Sequence, residues 1–246
     1  MDQIISSFKI KKELSSTIWN LDSDNISLIT EIRTSLLKIA QTFIATLKIP
    51  DLEVEDILFL GSLAGYNWSK FADIDLHILI DKSKLEGSDE IVDEYFDAKK
   101  KIFNESHGIT IKGFEVELYV QDIKEKNESN GVYSILYKNW IKEPSKEEDE
   151  ITVDKKSIIK KVKDFNREFN LLKTMTDSDK KIEKLTILQD KIKKYRKSGL
   201  DNNGEMSTEN LVFKYLRRSG YMEDLIDLKI EITDNLLTLK EVKNFN

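Results

Sequence analysis

FLGSLAGYNWSKFADIDLHILID, residues 59–81, holds two apolar runs separated by a polar, glycine-marked loop. The second run, IDLHILI over 74–80, reads as a strand. Alternation across a strand puts Asp73, Asp75 and His77 on one face and Ile74, Leu76, Ile78 and Ile80 on the other. The apolar set pins its face to a core, so both aspartates occupy the more open side. At a rise of about 3.3 Å per residue their Cα atoms lie roughly 6 to 7 Å apart, a workable spacing for two carboxylates that converge on one divalent cation. Taken alone, an Asp-x-Asp pair is also what any strand with one solvated face carries.

The neighbouring residues decide between these readings. DILFLG, 56–61, is a short apolar run that stops at glycine, and so a buried strand. Glycine lets the backbone approach a ligand closely, and the hydroxyl of Ser62 with the amides that follow can cradle a terminal phosphate if SLAGYN begins a helical turn. Two like charges in a partly dry cleft raise each other's pKa unless neutralised, and Mg²⁺ suits one or two carboxylates plus phosphate oxygens. Further on, GITIKGFEVELYVQD alternates: Phe114, Val116, Leu118 and Val120 point one way, Glu115, Glu117 and Tyr119 the other. A phosphate cradle, two aspartates and a third carboxylate are the parts that metal-assisted nucleotidyl transfer requires.

The remaining pattern supplies the frame. Ile29, Ile32, Leu36, Ile39, Phe43 and Leu47 recur by threes and fours, predicting an amphipathic helix ended by Pro50. Residues 88–105 predict a second helix, with Ser88 as N-cap and Ile91, Tyr95 and Ile102 on one side. Residues 131–144 can supply a hairpin before Pro144, and the charged SKEEDE, 145–150, marks a domain boundary. Beyond it, 154–174, 179–197, 207–219 and 222–240 read as helices punctuated by Gly199, Gly204 and Gly220. The expected class is α+β: a small mixed sheet with flanking helices over 1–150, then a helical bundle over 151–246.

LGSLAGYNWSKFADIDLHILI together with FEVELYV resembles the DNA polymerase β-like nucleotidyltransferase superfamily. Its pattern is a hydrophobic-glycine-serine pair, a spacer of about ten residues, D-h-D/E-h and a later h-D/E-h strand. The resemblance covers roughly residues 55–122. DIDLHILID, GFEVELYVQD and GVYSILYKNWI look, more narrowly, like nucleotidyltransferase-like proteins of tailed bacteriophages. By position, Gly61 and Ser62 match the phosphate-binding pair and Asp73 and Asp75 the metal-binding aspartates. The third acid is Glu117 or Glu115; Glu117 is preferred because it lies deeper in its strand. Ala72 departs from the serine or threonine that many relatives carry before the first aspartate.

The resemblance implies a Mg²⁺- or Mn²⁺-dependent transfer of a nucleoside monophosphate from a triphosphate such as ATP to an acceptor hydroxyl. The acceptor is RNA or tRNA, a protein or a small molecule. It also implies a lysine or arginine from the helical domain over the triphosphate, with Lys214 first and Arg218 second. Two alternatives stand beside it: a non-catalytic module of the same fold that binds RNA or protein, and an alarmone synthetase-like pyrophosphotransferase, which D-I-D fits less well.

Composition narrows the field. The chain has 246 residues, 39% hydrophobic and 34% charged, with no cysteine and two histidines, which excludes disulfides and thiolate chemistry and disfavours an all-protein zinc site. No stretch reaches the roughly 20 apolar residues of a membrane span, and the N-terminus lacks the apolar centre of a secretory signal, so a cytoplasmic protein is expected, in a host cytoplasm if phage-encoded. Net charge is −6 overall, but residues 1–153 carry 18 basic against 29 acidic residues and 154–200 carry 15 against 7. The basic stretch is either a lysine-rich solvated face or a surface for phosphate or nucleic acid.

Competing roles attach to four more positions. His77 shares the aspartate face and is expected to support a site residue or face solvent, because metal-based transfer does not need it. Tyr66 and Trp68 either stack on a nucleobase or pack their loop. His107 reads as a helix-end residue. On 207–219, Ser207 is an N-cap, Leu211, Val212 and Tyr215 face a core, and Asn210, Lys214, Arg217 and Arg218 form a polar stripe.

Overall fold

The computed structural model describes residues 2–21, 25–127, 129–146 and 154–239. It divides into a sheet unit, Lys9–Glu148, and a helical unit that joins Met1–Phe8 to Asp149–Asn246. The architecture is α+β with a helical C-terminal region. SKEEDE falls in the stretch where the units divide, and its residues 147–150 lie outside the described ones.

In the sheet unit the strands are β1 (Trp19–Asn20), β2 (Ser27–Leu28), β3 (Asp56–Leu60), β4 (Ile74–Ile80), β5 (Thr110–Ile111), β6 (Phe114–Asp122), β7 (Val132–Ser134) and β8 (Asn139–Lys142). β1 and β2 form a small hairpin; the other six form one mixed sheet in the order β5-β6-β4-β3-β7-β8. Only β4 and β6 run parallel, because between them the chain crosses over through a helix, α3 (Asp89–Ser106). The chain's first long helix, α2 (Thr30–Leu47), buries Ile32, Leu36, Ala40, Phe43 and Leu47, close to the stripe read from its spacing. It stops before Pro50, with Lys48 in the left-handed region at φ 53°.

α3 starts where expected, with the Ser88 hydroxyl accepting from the Ile91 amide, but a different face is buried. Val92, Phe96 and Phe103 go inward, whereas Ile91 and Ile102 are 64% and 61% exposed. Two adjacent apolar stripes compete on this helix, and the one with two phenylalanine rings has more area to remove from water. Phe103 meets Phe43 of α2 edge-on at 5.2 Å between centroids. One face of the sheet thus packs under α2 and α3 through Ile74, Leu76, Ile78 and Ile80, the alternate residues of β4. On the opposite face Leu58 and Leu60 of β3 form a smaller apolar cluster with Val132 of β7, and β3 is buried along its whole length.

Asp56, at the start of β3, is 5% exposed. Burial pushes its carboxyl up, and hydrogen bonds from the Ser134 hydroxyl and the Ile57 amide, both to Oδ1, work against that.

The helical unit comprises α1 (Asp2–Ser6), α4 (Lys155–Lys173), α5 (Ser178–Asn203), α6 (Thr208–Arg218) and α7 (Tyr221–Leu237). Its core is built from Ile158, Val162, Phe165, Leu185, Leu188, Leu211, Val212 and Leu225, joined by Ile5 and Phe8 from the other end of the chain. Gly199 does not end a helix: α5 continues through it to Asn203 and stops at Gly204, φ 70°. α7 ends at Leu237, short of the expected 240, which lies outside the described residues. Among the described residues, no helix is long and apolar enough to cross a membrane.

Candidate active site

The parallel pairing of β4 with β6 sets Asp75 directly beside Glu117. On the other flank, β3 pairs antiparallel with β4 so that Leu60 faces Asp75, and the chain leaves β3 at Gly61 immediately against that carboxylate. A Cβ at position 61 would lie 1.6 Å from Asp75 Oδ2, and Gly61 has φ 78°, so both the space and the backbone require glycine. Asp73 precedes β4 by one residue and shares the parity of Asp75. Both aspartates are half-buried; Glu115 and Glu117 are exposed. Glu115 is opposite Thr110 of β5 and precedes the first β4–β6 pair, Ile74 with Val116.

These acids share one end of the sheet because strand alternation and register act together. Among the described residues, no three His, Asp or Glu side chains are gathered tightly enough to form a ready metal-ligating group. The donor set is nonetheless of the kind a hard cation takes, carboxylate oxygens from neighbouring strands.

Ser62–Ala64 forms a single 3-10 turn, closed by Ala64 and Gly65 amides donating to the Gly61 and Ser62 carbonyls at 3.1 and 3.2 Å. Three contacts from distant residues hold this turn. Trp19 Nε1 donates to the Leu63 carbonyl at 2.7 Å. The Gly61 amide donates to Ser129 Oγ at 3.1 Å. Gly131 packs so close to the Ala64 carbonyl that an added Cβ would meet its oxygen at 1.9 Å. None of these three residues belongs to the sequence motif; the Trp19 ring, buried at 1% exposure, carried no signal beyond its bulk.

His77 lies on the aspartate face, but its Nδ1 is 2.8 Å from Gln121 Oε1 and its ring is 4.8 Å from that of Tyr119. Burial holds its pKa below the ordinary histidine value, against a smaller upward pull from the Gln121 hydrogen bond. His107 closes α3, its amide donating to the Phe103 carbonyl. Trp68 packs its loop: Nε1 donates to the Glu13 carbonyl at 3.0 Å, and Lys11 Nζ lies 5.3 Å from the ring. Tyr66 accepts the Lys11 amide at its carbonyl, has Lys146 over its ring at 5.0 Å, and lines a cavity of about 920 Å³ with Trp19, Ile26 and Lys146.

Lys214 and Arg218 belong to the helical unit. Lys214 is mostly buried, and its Nζ is 3.4 Å from Glu205 Oε2. Desolvation lowers its pKa, the Glu205 charge opposes the shift, and the Arg218 and Arg196 charges reinforce it. Arg218 Nη1 donates to the Ser7 hydroxyl at 2.8 Å, and its guanidinium lies 5.1 Å from the Phe8 ring centre. Asn210 leaves the expected polar stripe: it is 1% exposed, and its Nδ2 donates to the Glu205 carbonyl at 2.6 Å. The reason is its place in the first turn of α6, where the loop from Gly204 folds back and needs a buried donor. In the basic stretch, Lys191 pairs with Glu168 at 2.7 Å and Lys180 with Asp177 at 3.2 Å, as on an ordinary solvated helix surface.

No family model matches the chain, and no curated protein matches it. Among solved structures there is a likeness to the STING-associated CdnE c-di-GMP synthase from Capnocytophaga granulosa, 13% identical over 85% of this chain and 83% of that one. Its TM-score is 0.22.

Proposed function

We propose that the sheet unit is a nucleotidyltransferase active site that moves a nucleoside monophosphate from a nucleoside triphosphate to an acceptor hydroxyl and releases pyrophosphate. The observation that carries the reading is the register of Asp75 beside Glu117, with Gly61 backed directly onto the Asp75 carboxylate. Asp73, Asp75 and Glu117 would hold Mg²⁺ or Mn²⁺, which supplies charge neutralisation at the phosphates and lowers the pKa of a coordinated hydroxyl. Glu117 is assigned over Glu115 because only Glu117 is level with Asp75 across the strand pair.

The chain's own groups then divide the work. Gly61 lets the backbone turn closely against the Asp75 carboxylate, and the Ser62 hydroxyl that follows donates to the terminal phosphate. The acceptor oxygen forms a bond to the α-phosphorus as the bond to pyrophosphate breaks; the hydroxyl proton passes to a Glu117 carboxylate oxygen. A phosphate-binding role for Lys214 and Arg218 is proposed on the chemistry of their side chains alone.

The test is incubation with labelled nucleoside triphosphates, Mg²⁺ or Mn²⁺, and separate RNA, protein and small-molecule acceptor pools. Pyrophosphate release and labelled product are expected from the wild type. Asp75→Asn and Glu117→Gln should each lose about 10²–10³-fold. Glu115→Gln should stay within about threefold, given a side chain away from the reacting groups. A wild type as inert as Asp73→Asn/Asp75→Asn in every pool rejects the enzymatic reading in favour of a binding module of this fold.

A further inference from the structure

Ser129 and Gly131, between β6 and β7, are absent from the sequence motif, yet both bear on the glycine-serine turn. Ser129 is held from several sides. Its Oγ accepts the Gly61 amide at 3.1 Å. Its own amide donates to Asn127 Oδ1 at 2.9 Å, and its carbonyl accepts Lys142 Nζ at 2.8 Å. The next residue, Asn130, is bonded through both ends of its amide to the backbone of Ser145, each at 2.9 Å. The Ser129 hydroxyl is therefore a fixed group rather than a surface rotor.

A serine hydroxyl has one proton to give and two lone pairs to receive with. Here one lone pair is used by Gly61, and among the described residues no acceptor takes the proton. A Cβ on the same Gly61 would lie 1.6 Å from Asp75 Oδ2, so the Ser129 hydroxyl and the Asp75 carboxylate both border one residue. Lys142 adds an ammonium group at the same place, with one of its three donors committed to the Ser129 carbonyl. A half-buried, fixed hydroxyl whose proton has no acceptor among the described residues, next to a cation and a backbone turn shaped by glycine, is suited to a phosphate oxygen.

We propose that Ser129 is a nucleotide-binding residue: its hydroxyl relays the Gly61 amide to an oxygen of the terminal phosphate, with Lys142 contributing charge. The inference rests on the proposed nucleotidyltransferase reading for its substrate. A hydroxyl that merely clamped the turn would be the alternative.

The experiment compares wild type, Ser129→Ala, Ser129→Thr and Lys142→Met in two measurements. One is calorimetric binding of inorganic tripolyphosphate with Mg²⁺; the other is the KM and kcat for the nucleoside triphosphate the wild type consumes. Ser129→Ala should weaken tripolyphosphate binding and raise KM by about tenfold, the worth of a hydrogen bond to a charged group, with kcat and the thermal midpoint little changed. Ser129→Thr, which keeps the hydroxyl, should recover most of the loss. Lys142→Met should weaken binding and flatten its dependence on salt. Unchanged binding and KM in Ser129→Ala, or a loss that threonine fails to rescue and that tracks a fallen midpoint, overturns the inference. Tripolyphosphate binding that depends on Ser129 in a protein without transferase activity would reject the reaction and keep the site. A wild type that neither binds nor turns over rejects both.

Discussion

His77 follows Asp75 by one alternation on β4, yet its hydrogen bond runs to Gln121 and its ring lies against Tyr119 rather than toward a carboxylate. Its role is support of the strand. Burial makes the folded protein hold the His77 proton less readily than the unfolded chain does. Above the ordinary histidine pKa of about 6.5 the residue is neutral in both states and its contribution is complete. As pH falls from there through the lower folded value, the unfolded chain takes up the proton first and stability drops. Urea unfolding at pH 7.5 and at pH 5.5 should therefore show a loss in wild type that His77→Asn does not share; equal losses would remove His77 from the account. At this scale much of the candidate site was legible as a pattern. Gly61, Ser62, Asp73 and Asp75 lie within fifteen residues, and alternation alone assigns the face that the two aspartates share. Ser129 was illegible because its partner is 68 residues away and a loop serine has no periodicity to betray it. Trp19 was hidden for the same reason, 44 residues from Leu63.

The elements divide along similar lines. β4 could be read to the residue because its core face is an unbroken row of Ile and Leu, whereas α3 offered two apolar stripes, of which the one with Val92, Phe96 and Phe103 went into the core, Phe103 against Phe43. α5 shows the opposite failure, a local signal overruled. Glycine costs a helix about 1 kcal/mol relative to alanine, so Gly199 reads as an end. Inside the fold it is the point where α5 meets the start of α6: a Cβ there would come within 2.5 Å of Glu209 Cβ and 2.6 Å of Ser207 Oγ. Ser207 is also the N-cap whose hydroxyl accepts the Asn210 amide, so the collision would disturb the cap as well as the packing. Gly199→Ala should thus destabilise the protein by about 1–3 kcal/mol in spite of its better helix propensity. Chemical denaturation decides it, and a more stable variant would show that α6 yields without strain.

Across the whole chain, the sharp change from acidic to basic charge after residue 153 fell near the junction of two units, but it concealed that the helical unit is closed by the first residues of the sequence. Five residues of helix give α1 too little periodicity to be recognised. Its value lies in Ile5 and Phe8, 3% and 5% exposed within the helical core, and in Phe8 lying beneath the Arg218 guanidinium while Ser7 accepts its proton. The N-terminus is consequently a structural part of the element that carries Lys214 and Arg218. Phe8→Ala should cost about 3–5 kcal/mol, and because the core it joins is that of the helical unit, the cost should appear there. Hydrogen exchange resolves the two units: faster exchange is expected along α4, α5 and α6, with β4 and β6 unchanged. Exchange that quickens equally in β4 would mean that the units unfold as one, and the assignment of the first eight residues to a separate helical core would fail.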